Sequence, residues 1–209
     1  MDAITLFSHL ENLLHQFVDS SSKTLDQLNS LGGVSGTICF FPGTFTPWHD
    51  GHSYCVTKHL SSFPDIPLMV LPDINPQKNP IQTQKELITL PKNPQVRLSW
   101  VFQKLTKSNP TFRWITFLKT QNPNLKLGLL IGLDSFMNLP TWINYQDLLL
   151  HLDFLEVIER DFTALDTTFD TQKTIYQRIN PALKIHYTHE NPYKDLSSTK
   201  LRQKRVQKS

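Results

Sequence analysis

Cysteine is nearly absent from this chain of 209 residues: only Cys39 and Cys55 occur. Two such thiols make no disulfide framework and lack metal-site spacing, so both read as buried thiols in a reducing compartment. Long apolar runs are missing as well. No stretch approaches the length that crosses a bilayer, and nothing resembles a signal peptide, so the expectation is a cytoplasmic protein with no membrane partner. A spread basic face is also lacking. The formal net charge is +3, yet Lys200, Arg202, Lys204, Arg205 and Lys208 supply +5 of it within residues 200–209, and the rest of the chain sums to −2. Nucleic-acid-binding domains distribute their basic residues over a surface, so no nucleic-acid partner is inferred from this tail.

What is present suits one α/β domain with a modest appendage. Residues 1–33 form the expected appendage, a helical extension. Phe7, Leu10, Leu14, Phe17 and Val18 recur at three- and four-residue steps with Leu13 beside them. Ser20-Ser21-Ser22 interrupts, Leu25, Leu28 and Leu31 continue the period, and Gly32-Gly33 stops it. This pair of helices must cover either the main domain or a second subunit, which leaves a homo-oligomer open. Residues 34–209 form the expected main domain. Strands are expected at Thr37–Phe41, Pro67–Leu71, Phe112–Phe117, Leu127–Ile131, Phe154–Ile158 and Lys184–Tyr187. Helices are expected at His52–Ser61, Pro94–Lys107, Trp142–His151 and Gln172–Arg178. Apolar runs without alternation, separated by helices, predict a Rossmann-like parallel sheet with helices on both faces, and binding then belongs at the carboxyl ends of the strands.

Where the first strand ends, the chain reads Gly43-Thr44-Phe45-Thr46-Pro47-Trp48-His49-Asp50-Gly51-His52. A strand, a Gly/Pro turn and a helix start can hold phosphate on free backbone N–H groups, and two imidazoles three residues apart add donors. Taken alone, such a histidine pair also fits surface residues or a metal site. Ile131 to Trp142 leaves another strand end, with Asp134 and Trp142 as candidate ligand contacts. Near the carboxyl end stands Leu196-Ser197-Ser198-Thr199-Lys200-Leu201-Arg202, which by itself is an ordinary helix cap. The segment from Pro72 to Pro94 is too long for a tight connection and contains Asn75-Pro76-Gln77-Lys78.

These three segments, in this order, resemble the nucleotidylyltransferase superfamily: its G-x-F-x-P-x-H-x-G-H signature, its I-S-S-T-x-I-R signature, and a middle segment like that of bacterial nicotinate-nucleotide adenylyltransferases. The resemblance runs from about Gly36 to Arg202. It implies adenylyl transfer from ATP to nicotinate mononucleotide, giving deamido-NAD and pyrophosphate, with Mg²⁺ bridging the ATP phosphates. It implies catalytic roles for His49 at the ATP phosphates and His52 at the transferring α-phosphate. Gly43, Thr44, Phe45, Ser198, Thr199 and Arg202 would cradle phosphate, and Asp134 would meet a ribose hydroxyl. Trp142 would stack on the pyridine ring, with Lys78 and Arg160 also on the acceptor side. No protein-held metal ligand is expected.

The chain departs from the family pattern in several places, among them Asn75-Pro76-Gln77-Lys78, where only Pro76 and Lys78 match the family's P-P-H-K stretch. Thr46 stands where the family has aspartate, Pro42 where it has glycine, and Asp161-Phe162 where Pro-Gly follows the arginine matched by Arg160. Two alternatives therefore accompany the main reading. One is the same chemistry on another acceptor, nicotinamide mononucleotide or phosphopantetheine. The other is a nucleotide-binding regulator with weak catalysis.

Overall fold

Six short runs of aliphatic and aromatic residues pair into one sheet. The computed structural model describes residues 1–19, 34–73, 88–105, 109–159, 166–189, 191–193 and 196. The strands are β1 (Gly36–Gly43), β2 (Leu68–Pro72), β3 (Val96–Leu98), β4 (Leu125–Gly132), β5 (Phe154–Ile158) and β6 (Lys184–Thr188). Their order across the sheet is β3-β2-β1-β4-β5-β6, and every neighbouring pair is parallel. The helices are α1 (Ala3–Asp19), α2 (Asp50–Ser62), α3 (Thr111–Gln121), α4 (Leu133–Asn138), α5 (Tyr145–His151) and α6 (Asp166–Ile179), with 3₁₀ turns at Val101–Lys104 and Leu139–Thr141. None of the described helices is long and apolar enough to cross a membrane.

Alternate residues of the central strands feed two apolar layers, as a sheet covered on both faces requires. Ile38, Phe40, Met69, Leu71, Leu127, Leu129, Leu155 and Val157 face the larger layer, against residues of α1, α3, α4, α5 and α6. Cys39, Phe41, Leu68, Val70, Leu130, Phe154 and Ile158 face the smaller layer, where α2 contributes Cys55 and Val56. A polar couple interrupts this second layer: His59 of α2 meets Glu156 of β5, Nδ1 to Oε2, at 2.5 Å. Both side chains are buried. Burial pushes the nearby Cys39 thiol well above its usual range, and the Glu156 charge adds to that.

The amino-terminal helix is built into the larger layer. Leu6, Phe7, Leu10, Leu13 and Leu14 are buried in it. The Phe17 and Phe117 rings stand 5.5 Å apart, and Glu11 pairs with Arg97 at 3.0 Å. Asp2 starts the helix by accepting the Thr5 N–H at 2.8 Å, and that bond holds the Asp2 carboxyl below its ordinary range. The chain re-enters at Val34, whose N–H donates to the buried Asn122 Oδ1 at 2.8 Å, tying the start of β1 to the turn before β4.

Five of the six expected strands form, and three expectations need correction. Phe112–Phe117 is not a strand but part of α3. Trp114, Ile115, Phe117 and Leu118 are its buried residues, a helical spacing that a short apolar run conceals. Pro94–Lys107 is not one helix. Val96–Leu98 instead adds to the edge of β2 through the pairs Leu68↔Val96 and Val70↔Leu98, and a 3₁₀ turn follows. The helix expected from Trp142 starts only at Tyr145, because Asn144 takes a left-handed backbone (φ 52°) that ends the preceding turn. The second half of the expected extension lies outside the described residues.

Two measurements check this packing. A Cβ built on Gly128 would fall 2.1 Å from the ring of its cross-strand partner Phe154. Gly128→Ala should therefore cost about 1–3 kcal/mol in urea unfolding, as overpacked cores do, and Phe154→Leu in the same chain should recover part of it. Cys39 and Cys55, both buried free thiols, should resist an aromatic disulfide reagent in the native protein and react fully once it is unfolded.

Candidate active site

The turn from β1 into α2 is shaped by aromatic packing. Phe45 adopts a left-handed backbone (φ 45°), which costs a side-chain-bearing residue about 1–3 kcal/mol and persists only where surroundings over-determine it. Here they do. The Phe45 ring is buried and lies edge-on to Phe41 (5.0 Å), Trp48 (5.2 Å) and His52 (5.1 Å). It also occupies the space where a Cβ on Gly43 would sit, 2.9 Å away, so the glycine is needed for the ring to fold back over the strand end. The Thr46 hydroxyl donates to the Thr44 carbonyl at 2.9 Å within the turn, at the position where the family has aspartate.

His49 is the residue that caps α2, with an extended backbone (φ −151°, ψ 170°). Its carbonyl accepts the His52 N–H at 2.8 Å, and its own N–H donates back to His52 Nδ1 at 3.3 Å. The second bond is the return half of a capping box, with an imidazole in place of a carboxylate. It decides a tautomer. A backbone N–H can only donate, so Nδ1 of neutral His52 is an acceptor and its proton sits on Nε2. The two imidazoles stack at 3.8 Å between centroids. Trp48 flanks His52 at 5.1 Å, and its indole N–H donates to the Ser53 hydroxyl at 2.9 Å. His52 is buried and His49 partly exposed, although both ring nitrogens of His49 are covered. A Cβ on Gly51 would lie 3.0 Å from the His49 ring, so the space left by this glycine is taken by that histidine.

The neighbouring strand β4 ends at the same rim. Asp134 lies in the first turn of α4, directly after Gly132, and its Oδ1 is buried with no hydrogen-bond partner among the described residues. Trp142 follows the Leu139–Thr141 turn, is partly buried, and packs against the larger layer. Beneath α4, the Tyr176 hydroxyl donates to the Phe136 carbonyl at 2.7 Å and supports the short helix from below. The sheet thus brings the Gly43–His52 turn and the Asp134–Trp142 segment to adjacent strand ends. Lys78, Arg160, Ser198, Thr199 and Arg202 lie outside the described residues.

Mg²⁺ is not matched by the group of three metal-capable side chains found among the described residues. The cluster of metal-capable side chains there, Cys39, His59 and Glu156, is buried under α2 and carries sulfur and nitrogen donors, whereas Mg²⁺ takes oxygen. Sequence reading singled out neither Trp48 nor the His59–Glu156 couple. For the latter the available signal was a lone acid in the otherwise apolar run Phe154–Ile158.

Comparison with known proteins agrees with this architecture. A probable nicotinate-nucleotide adenylyltransferase of Leptospira interrogans is 28% identical over 176 residues, covering 78% of this chain and 81% of the relative. One of Chlorobium phaeobacteroides is 30% identical over 124 residues, covering 54% of this chain and 62% of the relative. A solved structure of Plasmodium falciparum nicotinic acid mononucleotide adenylyltransferase complexed with NaAD superposes with a TM-score of 0.58 at 17% identity, covering 80% of this chain and 83% of that one. At that identity the superposition speaks for the fold. The cytidylyltransferase-like family model matches residues 40–204, from the first strand through the carboxyl-terminal signature. By that match and this sheet, the chain belongs to the cytidylyltransferase-like family and is a nucleotidyltransferase.

Proposed function

We propose that the chain transfers the adenylyl group of ATP to nicotinate mononucleotide, forming deamido-NAD and pyrophosphate. The observation that carries this reading is the bond from the His49 N–H to His52 Nδ1, which leaves the His52 proton on Nε2. A buried imidazole so oriented is a preorganised donor for charge that grows on a phosphoryl oxygen. The names of the relatives support the acceptor: they are probable nicotinate-nucleotide adenylyltransferases. Trp142, half-buried just past the end of β4, supplies a flat face suited to a pyridine ring.

In this reading a phosphate oxygen of the mononucleotide attacks the α-phosphorus of ATP. A new P–O bond forms as the bond to the bridging oxygen of the β-phosphate breaks, and that oxygen leaves with pyrophosphate. The nucleophile is already ionised near neutral pH, so positioning and charge stabilisation carry the catalysis. His52 Nε2–H donates to a non-bridging α-phosphate oxygen. His49 contacts the outer phosphates, and the N–H groups of Thr44 and Phe45 line the turn beside them. Oδ1 of Asp134, without a partner among the described residues, is an acceptor that a ribose hydroxyl would satisfy. Ser198, Thr199 and Arg202 are assigned to the opposite phosphate wall, and Lys78 and Arg160 to the acceptor side. Mg²⁺ arrives as part of the ATP complex, consistent with its habit of binding through substrate phosphates.

Pyrophosphate release measured with ATP and a panel of acceptors tests the proposal. Nicotinate mononucleotide should give the highest kcat/KM, ahead of nicotinamide mononucleotide and phosphopantetheine. Faster release with phosphopantetheine would reject the acceptor assignment, and ATP binding without release on any acceptor would favour the regulator. His52→Ala should keep its circular dichroism spectrum and lose about a hundredfold or more in kcat, the scale seen when a transition-state donor is removed. Near-normal turnover in that variant would remove His52 from its role.

A further inference from the structure

Within the smaller layer, α2 is held to the sheet by apolar contacts and, at His59, by a directional one. His59 lies seven residues after His52, which is two helical turns, so both project from the same buried face of α2. The His59 ring reaches two separate elements. Nδ1 meets Glu156 Oε2 on β5 at 2.5 Å, and Nε2 meets the Ile66 carbonyl, in the connection from α2 to β2, at 2.9 Å. A carbonyl can only accept, so Nε2 carries a proton and donates it. A second proton is then shared along the short Nδ1···Oε2 contact.

We propose that His59 and Glu156 are positioning residues for His52: the couple fixes the rotation of α2 about its axis and so aims the His52 imidazole at the reacting phosphate. The surrounding side chains Val56, Leu68 and Phe154 are apolar, and their packing is non-directional. They press the helix onto the sheet yet tolerate small rotations. Hydrogen bonds from one ring to two elements do not, because each weakens steeply as its angle closes. A small rotation of α2 carries His49 and His52 together, because the bond between them closes within the first turn of the helix, and it moves the His52 Nε2–H off its line to the reacting phosphate. A metal shared by His59, Glu156 and Cys39 fits less well. Donors coordinated at about 2.0–2.2 Å around a tetrahedral ion stand farther apart than the 2.5 Å seen here.

The inference rests on the proposed adenylyl transfer, and its test separates the two. In Glu156→Gln the amide N–H can donate to His59 Nδ1 while Nε2–H still donates to Ile66, so both directional bonds survive without charge. This variant should keep kcat within about twofold of the parent. The double variant His59→Leu/Glu156→Leu should keep or raise the melting temperature, because buried ion pairs are often replaceable by apolar residues of similar volume. It should nevertheless lose roughly tenfold or more in kcat, with KM for ATP moving much less, as small misplacements of reacting groups do. Ring ¹⁵N spectra should report the Nε2–H tautomer of His52 in the parent and in both variants, and a non-hydrolysable ATP analogue should shift the His52 Nε2 resonance in the parent and in Glu156→Gln but much less in the double variant. Should the double variant fail to fold, His59→Gln, which can reach only one partner, is read in its place with the same expectations. Full kcat in the double variant, with the analogue-induced shift of His52 Nε2 retained, would overturn the inference. So would an equal loss in Glu156→Gln, or stoichiometric metal in the parent that Glu156→Gln loses. If the parent itself transfers no adenylyl group to any acceptor, the functional reading falls, and the ring spectra alone then decide the positioning role.

Discussion

The pairing of β1 with β4 at the middle of the sheet is the contact on which the arrangement depends. The chain lays down β1, β2 and β3 toward one edge, then returns to set β4 against the free side of β1 and continues outward through β5 to β6. Phe40 lies opposite Leu129, and carrying that register three residues on sets Gly43, the last residue of β1, opposite Gly132, the last of β4. The two exits diverge: β1 leads into α2 over the smaller layer, while β4 leads into α4 over the larger one. Divergence at a reversal of strand order opens a crevice between the exits, which is where open α/β sheets bind their ligands. Sequence segments some ninety positions apart thereby reach one rim through backbone hydrogen bonding alone.

On that rim, rigidity comes from two sources of different character. The β1–α2 turn stores backbone strain at Phe45 and is restrained by rings: Phe41, Phe45, Trp48 and the two histidines each touch at least one other. Ring packing excludes water and limits side-chain motion, but it sets orientation loosely. Orientation is sharpened by a few hydrogen bonds, one at the start of α2 between His49 and His52 and others two turns further along it at His59. Asp134 represents the opposite case, an oxygen at this rim without a partner among the described residues.

Most of this fold was legible in the chain because its central strands are apolar on both sides, so Thr37–Phe41, Leu127–Ile131 and Phe154–Ile158 announce themselves without needing a period. The same property misleads at Phe112–Phe117, where six apolar-rich residues fit either a strand or a buried helix face, and only the packing of Trp114, Ile115 and Phe117 decides. The edge strand Val96–Leu98 was hidden for another reason: three residues are too few to show alternation, and its identity comes from pairing with β2. The histidine turn could be located from spacing alone. Its left-handed Phe45 and the His52 tautomer could not, since both follow from contacts that bring ring and backbone together in space.

The position of α1 bears on the order in which the structure can assemble. Its apolar face is made well before several of its partners, among them Phe117 on α3, Arg97 on β3 and the turn at Val101, which lie roughly ninety to a hundred residues later in the chain. A ribosome adding about 5–20 residues per second leaves that face waiting several seconds for a surface to dock on. The ladder between β1 and β4 is similarly long in range. Folding of this protein must therefore be dominated by late, distant encounters, and its newborn first helix is a natural client for whatever shields greasy segments during translation.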